Sequence, residues 1–216
     1  MVLARKLLTE LVGAFGFMTV IALSGSAGQF APLAIGIALA AMVYMGGHIS
    51  GAHYNPAVSF GVFLRRGIDS RTMVAYWIAQ LVGAVLAFTA GYTISGHTPG
   101  IHPGSGFTTL QALAGEALFT GALVLVVLNV AATAAMAGNQ YFGLAIGLTV
   151  AAGAFAVGPI SGAAFNPAVG FGATTVAALS GHGGWADLWL YFVGPLAGAA
   201  VGAGVHRLQV GAAKTA

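Results

Sequence analysis

The chain has no cysteine, which excludes disulfides, thiolate nucleophiles and cysteine-ligated metals. It is almost as poor in charge, with 7 Lys and Arg and 4 Asp and Glu among 216 residues. A soluble domain of this length keeps roughly a quarter or more of its surface charged, so a dispersed aqueous fold is excluded. The net charge of +3 does not mark a nucleic-acid partner, because seven cations scattered over the chain form no patch. No nucleophile, base and orienting acid fall together, so nothing reads as an enzyme or as a cofactor site. The six histidines include His97, His102 and His182 in loops and no metal-ligand spacing.

What is present is apolar surface. Hydrophobic residues make up 58% of the chain and glycine contributes 34 residues, an excess that suits closely approaching membrane helices. About 20 mostly apolar residues cross a bilayer, and six runs qualify: Leu7–Leu23, Phe30–Ile49, Val74–Ile94, Leu110–Met136, Tyr141–Gly158 and Leu188–His206. The first run, followed by Ser24-Gly25-Ser26-Ala27, has some features of a cleaved signal. Its length and the internal Glu10 favour a retained span. Two shorter runs, Ala57–Leu64 and Ala168–Leu179, each follow an Asn-Pro and read as half-helices opened by proline.

All seven cations, Arg5, Lys6, Arg65, Arg66, Arg71, Arg207 and Lys214, fall on one side of a six-span topology. The positive-inside rule places that side, with both termini, in the cytoplasm. Trp77, Trp185, Trp189, Tyr191 and Tyr92 lie near span ends, where interface anchors are expected.

The chain also repeats itself. Residues 49–61 read ISGAHYNPAVSFG and residues 160–172 read ISGAAFNPAVGFG, identical at ten of thirteen positions with an offset of 166 − 55 = 111. The same offset pairs Leu33–Gly36 with Leu144–Gly147, and Val82-Gly83 with Val193-Gly194. Each half, about 1–96 and about 107–210, holds three spans and a half-helix within one domain covering 1–216. Three is odd, so the halves enter from opposite faces, and short interrupted segments in an inverted repeat point to a midplane site. Asn55, Pro56, Ala57 and Asn166, Pro167, Ala168 are therefore the candidate pore motif. The two asparagines would cap facing half-helices and leave their amides free to donate to a passing oxygen. His48 and His53 lie on the approach to the first motif. Glu10 and Glu116 are the acids inside spans, read either as braces for re-entrant loop amides or as a proton relay.

Both Asn-Pro-Ala triads, the preceding Gly46-Gly47-His48-Ile49-Ser50-Gly51-Ala52-His53, and a glutamate early in spans one and four resemble the aquaporin (major intrinsic protein) family over nearly the whole chain. The resemblance implies an all-α membrane protein: a right-handed bundle of six transmembrane helices with two re-entrant half-helices, one pore per subunit. It implies a homotetramer in the plasma (inner) membrane, with the lipid bilayer and small neutral permeants as partners. Family spacing places the selectivity filter at Ile35, Ala154, Ala163 and Val169. Most members carry arginine where this chain has Val169, and water-selective members usually carry histidine where it has Ala154. The departures imply a wide, uncharged filter for water with glycerol-, urea- or metalloid-hydroxide-sized solutes. A narrower water, gas or ammonia channel, and a proton-coupled transporter using Glu10 and Glu116, are the alternatives.

Overall fold

The computed structural model describes residues 2–97 and 100–211, and every regular element among them is helical. Helix α1 (Leu3–Leu23) leads through a 3-10 turn, Ser24–Phe30, into α2 (Ala31–Ser50). There follow α3 (Pro56–Leu64), α4 (Ser70–Ser95), α5 (Thr109–Ala132), α6 (Phe142–Ser161), α7 (Pro167–Leu179) and α8 (Leu190–Val210). The six long helices have 20 to 26 residues, or about 30–39 Å at 1.5 Å per residue, enough to cross a hydrocarbon core of about 30 Å. Helices α3 and α7, with 9 and 13 residues, are too short to cross. Five of the six long helices lie in segments apolar enough to span a bilayer, α1 and α2 counting as one joined segment. Helix α8 is less apolar because it ends in His206, Arg207 and Gln209.

Local chemistry sets the boundaries. Asn55 and Asn166 cap α3 and α7, each accepting from the second residue after it, with proline in the first turn. Asp69 caps α4 by accepting from the Thr72 amide at 2.7 Å, a bond that holds its carboxyl below the usual range. Thr108 and Gln111 form a capping box at the start of α5. Helices α2 and α6 stop at Gly51 and Gly162, whose φ values of 92° and 86° suit glycine. The fourth span ends at Ala132 rather than at Met136, because Thr133 turns extended and Ala134–Met136 forms a separate 3-10 turn. The last helix starts two residues later than expected and runs on past His206 to Val210.

The two halves pack as copies. Helix α1 lies on α4 as α5 lies on α8, and α1 meets α2 as α5 meets α6. Helices α2 and α6 cross each other at the pseudo-twofold axis, as do α3 and α7. At the first crossing a Cβ on Gly36 would sit 2.6 Å from the Gly147 carbonyl oxygen, and one on Gly147 would sit 2.9 Å from the Ala40 Cβ. Glycine at both repeat-related positions is what lets the backbones touch.

The repeat does not keep one offset along the chain. Glu10 corresponds to Glu116 at an offset of 106, and the buried Ala14, Phe17, Met18 and Ala22 then fall on buried Thr120, Leu123, Val124 and Leu128. Helices α2 and α6 and the two Asn-Pro-Ala segments keep 111. In the last helices the offset is 115, since all eight buried residues of α4, Tyr76 to Gly91, then fall on buried residues of α8, Tyr191 to His206. The pairing of Val82-Gly83 with Val193-Gly194 at 111 is therefore corrected: Gly83 matches Gly198. A Cβ on Gly83 would lie 2.7 Å from the Leu11 carbonyl and one on Gly198 2.9 Å from the Gly121 amide, equivalent approaches to α1 and α5. The shift of 115 − 111 = 4 equals the difference in half-helix length, 13 − 9.

Gly36→Val should lower stability by about 1–3 kcal/mol through overpacking at the crossing. Gly25→Ala, where an added Cβ meets nothing within 4 Å, should leave it unchanged. Thermal unfolding in detergent compares the two, and equal midpoints would contradict the close crossing.

Candidate functional site

Between α2 and α3, and again between α6 and α7, the chain turns back through non-helical backbone. Ala52 and Tyr54 have φ of 52° and 50°, and Ala163 and Phe165 have 50° and 49°. Left-handed conformations at residues with a Cβ cost roughly 1–2 kcal/mol each, so something must hold them. The holders are the two buried glutamates. Glu10 accepts from the Ser50 hydroxyl at 2.6 Å, the His53 amide at 3.0 Å and the Tyr54 amide at 2.7 Å. Glu116 accepts from the Ser161 hydroxyl at 2.8 Å, the Ala164 amide at 3.0 Å and the Phe165 amide at 2.7 Å. Each serine oxygen in turn accepts from the amide two residues on. From the last helix of each half, Tyr76 and Tyr191 donate to the Ser50 and Ser161 carbonyls, both at 2.7 Å.

The asparagines tie the loops to each other. Asn55 Nδ2 donates to the Phe165 carbonyl at 2.8 Å, and Asn166 Nδ2 donates to the Tyr54 carbonyl at 3.0 Å. Their Oδ1 atoms accept from the Ala57 and Ala168 amides. Each amide group has two N–H bonds, so one is spent on the opposite loop and one is left. The amides are thus half committed rather than wholly free.

Three cavities follow one another through the bundle. At the end carrying the chain termini, a cavity of about 390 Å³ is lined by Gly47, His48, Gly51, Ile146 and the α5–α6 linker. At the centre, about 20 Å³ is lined by His53, Asn55, Asn166, Leu39, Ile146 and Val150, roughly the space of one water. Toward the other end, about 220 Å³ is lined by Ile35, Ala154, Ala163 and Val169, with Phe17, Val150 and Ala164 shared with the centre. All four filter positions therefore share one chamber. Among the described residues its single polar side chain is Ser24, which donates to the Ile21 carbonyl. Among the described residues histidines are the sole ionisable lining of the three cavities, His48 in the inner one and His53 at the centre. Glu10 and Glu116 line none of the three.

The halves differ in polarity behind the loops. Gln80 Nε2 donates to Glu10 Oε2 at 2.8 Å and to Ser59 Oγ at 3.0 Å, and Ser59 lies 3.0 Å from His53 Nδ1. The corresponding positions of the second half are Pro195, Gly170 and Ala164. Gln80, Ser59, Ser50, Ser161 and Tyr76 escape motif reading, although Ser50 and Ser161 stand inside the duplicated stretch. Tyr191 is corrected: it is fully buried as a loop clamp, not an interface anchor. Trp77 is half-buried and donates to the Pro56 carbonyl at 2.9 Å. Trp185 and Trp189 are exposed. Among the described residues no group of three metal-binding side chains comes together.

A family model described as "Major intrinsic protein" matches residues 2–206. Curated relatives include the aquaporin NIP1-1 of Oryza sativa subsp. japonica, 38% identical over 80% of this chain and 60% of its own length. The aquaporin NIP1-1 of Zea mays is 35% identical over 94% of this chain and 74% of its own. The aquaporin TIP2-1 of Arabidopsis thaliana is 41% identical over 76% and 64%. The chain thus spans about three fifths to three quarters of these relatives' lengths. Among solved structures, the aquaglyceroporin from Plasmodium falciparum superposes with a TM-score of 0.81 over 95% of this chain and 94% of that one, at 22% identity, a likeness of fold.

Glu116→Gln leaves one oxygen to serve three donors, so at least one buried donor is stranded, at about 1–3 kcal/mol. Glu116→Ala leaves the Ala164 and Phe165 amides with no acceptor and the Ser161 hydroxyl with the Val157 carbonyl at 3.4 Å, and should destabilise more. The order wild type, Gln, Ala in detergent unfolding midpoints checks the bracing geometry, and equal midpoints would refute it.

Proposed function

Because this chain belongs to the major intrinsic protein family, we propose that its three cavities form one passive conduit for small uncharged solutes, water together with glycerol-, urea- or metalloid-hydroxide-sized molecules. The observation that carries the proposal is the outer chamber, walled by Ile35, Ala154, Ala163 and Val169, with no charged side chain among the described residues. Alanine at two wall positions leaves volume that no other side chain replaces. The half-helices α3 and α7 meet with their N-termini together, each equivalent to about half a positive charge. That field opposes cations and protons while neutral molecules pass. The remaining N–H of Asn55 and of Asn166 offers a donor to a permeant oxygen at the narrowest point.

One observation favours a second reading, a narrower channel for water, ammonia or gases: the central cavity holds about 20 Å³. A proton-coupled transporter is disfavoured, because both carboxyls are sealed into loop bracing and face no cavity. As a member of the major intrinsic protein family the chain is a channel and not an enzyme. The cation-bearing end, with Arg5, Lys6, Arg65, Arg66, Arg71 and Arg207, is assigned to the cytoplasm; Lys214 lies outside the described residues. A homotetramer in the plasma (inner) membrane is our assignment, supported by the exposed apolar faces of the long helices.

Stopped-flow light scattering on proteoliposomes should show water flux together with passage of glycerol, urea or arsenite, linear in concentration and indifferent to a pH gradient. Val169→Arg should cut glycerol-sized passage at least tenfold while water flux falls less, since a long charged side chain fills the alanine-walled chamber. An unchanged solute-to-water ratio in the folded variant would refute the wide filter.

A further inference from the structure

The two re-entrant loops are alike in backbone and unlike in what stands behind them. Three polar residues of the first half, His53, Ser59 and Gln80, are replaced together by Ala164, Gly170 and Pro195 in the second. All three are buried, Ser59 and Gln80 completely. They form one chain from the carboxyl brace to the cavity track. Gln80 Nε2 donates to Glu10 Oε2 at 2.8 Å and to Ser59 Oγ at 3.0 Å. Turning the amide over would set Gln80 Oε1 against the Glu10 carboxylate, so both N–H bonds stay committed while Oε1 has no partner. Ser59 Oγ lies 3.0 Å from His53 Nδ1. The imidazole packs edge to face with Tyr76, ring centroids 5.2 Å apart.

Counting hydrogens fixes the tautomer. Among the described residues Ser59 Oγ has two partners, Gln80 Nε2 and His53 Nδ1. An amide nitrogen only donates, so the serine hydrogen goes to His53 Nδ1, which is then bare. The opposite tautomer would bring two donors to one serine oxygen and strand the hydroxyl hydrogen in a fully buried place. A neutral imidazole with a bare Nδ1 carries its hydrogen on Nε2. Nε2 makes no hydrogen bond among the described residues. His53 lines the central cavity, and a Cβ on Gly51, which lines the inner one, would sit 3.1 Å from Nε2. The N–H thus stands where the centre joins the inner cavity.

The asparagine Oδ1 atoms are turned to the Ala57 and Ala168 amides, and the Tyr54 hydroxyl donates to the Met42 carbonyl at 3.0 Å. With hydrogen on Nε2, the side-chain groups left over at the centre are all donors: one N–H from each asparagine and one from His53. We propose that Ser59 and Gln80 are positioning residues for selectivity. They hold His53 as a third donor, so the centre grips a molecule that carries an oxygen acceptor and offers nothing to a cation whose hydrogens all donate. Resting on the conduit proposed above, this gives the chain a means of refusing guanidinium- or ammonium-type cations at the centre. The outer chamber, with no charged side chain among the described residues, has none. A bare Nε2 would be a side-chain acceptor at the narrowest point and would give such a cation a foothold.

The tautomer is measured without any flux. In protein whose histidines are isotope-labelled at both ring nitrogens, held in bilayers at mildly alkaline pH, solid-state NMR identifies His53 by the signals lost in His53→Asn. Wild type and Ser59→Thr, which keeps the hydroxyl, should carry hydrogen on Nε2. In Ser59→Ala nothing sets the choice, because water at Nε2 can donate or accept, and the Nδ1–H form should appear. Gln80→Met, which frees Ser59 to turn to the Asn55 carbonyl one turn back, should do the same. Wild type with hydrogen on Nδ1, or either folded variant with the wild-type spectrum, overturns the lock. Uptake into proteoliposomes then compares guanidinium with urea, a planar molecule of similar size that carries a carbonyl acceptor. The guanidinium-to-urea ratio should rise about two- to tenfold in Ser59→Ala, the worth of one hydrogen bond, and return to the wild-type value in Ser59→Thr. An unchanged ratio, guanidinium undetected in both included, overturns the selectivity role. If urea enters no vesicle, the conduit reading fails and the selectivity role with it, while the spectra still decide the lock.

Discussion

Backbone amides in the middle of a bilayer have no water to turn to, and each one left unpaired costs several kcal/mol. The two re-entrant segments place such amides at the centre of the bundle, and one buried glutamate per half answers them. Without Glu10 and Glu116 the left-handed residues Ala52, Tyr54, Ala163 and Phe165 would have no reason to persist. Without those residues the asparagine caps could not reach across to the opposite loop. The cavity track thus depends on two carboxyls that never touch it.

The gross architecture was legible because it rests on run length and periodic motif. Six long apolar runs, two proline-opened short ones and a thirteen-residue duplication are enough to draw the topology. The glutamates were legible because an acid among apolar residues asks for a partner. What stayed hidden were partners whose identity depends on register. Tyr76 and Tyr191 perform one task at an offset of 115, so comparison at 111 passes over them. Gln80 has no counterpart, since α8 carries Pro195 there. The half-committed state of Asn55 and Asn166 depends on where the opposite carbonyls lie, which no spacing rule states.

Length changes between the halves fall outside the braced core. Five extra residues enter between α5 and α6, and four at the end of α7, while the segment from α2 to the start of α3 matches α6 to the start of α7 residue for residue. A helix end or a surface linker absorbs an insertion with little loss, whereas one residue added between Ser50 and Asn55 would move an amide off its carboxyl oxygen. The linker bearing the five extra residues is also the one that walls the inner cavity.

The polarity of the track is lopsided: His53 and His48 stand on one side of the asparagine pair, while Ile35, Ala154, Ala163 and Val169 stand on the other. In a passive conduit such asymmetry cannot act as a one-way valve. Microscopic reversibility makes the rate constants around any closed cycle balance, so equal dilute pools on the two sides exchange with zero net flow whatever the shape of the free-energy profile. The profile governs dwell time instead. A molecule with several hydrogen-bonding groups will linger beside the histidines and hurry through the aliphatic chamber, so crowding will begin in the histidine half.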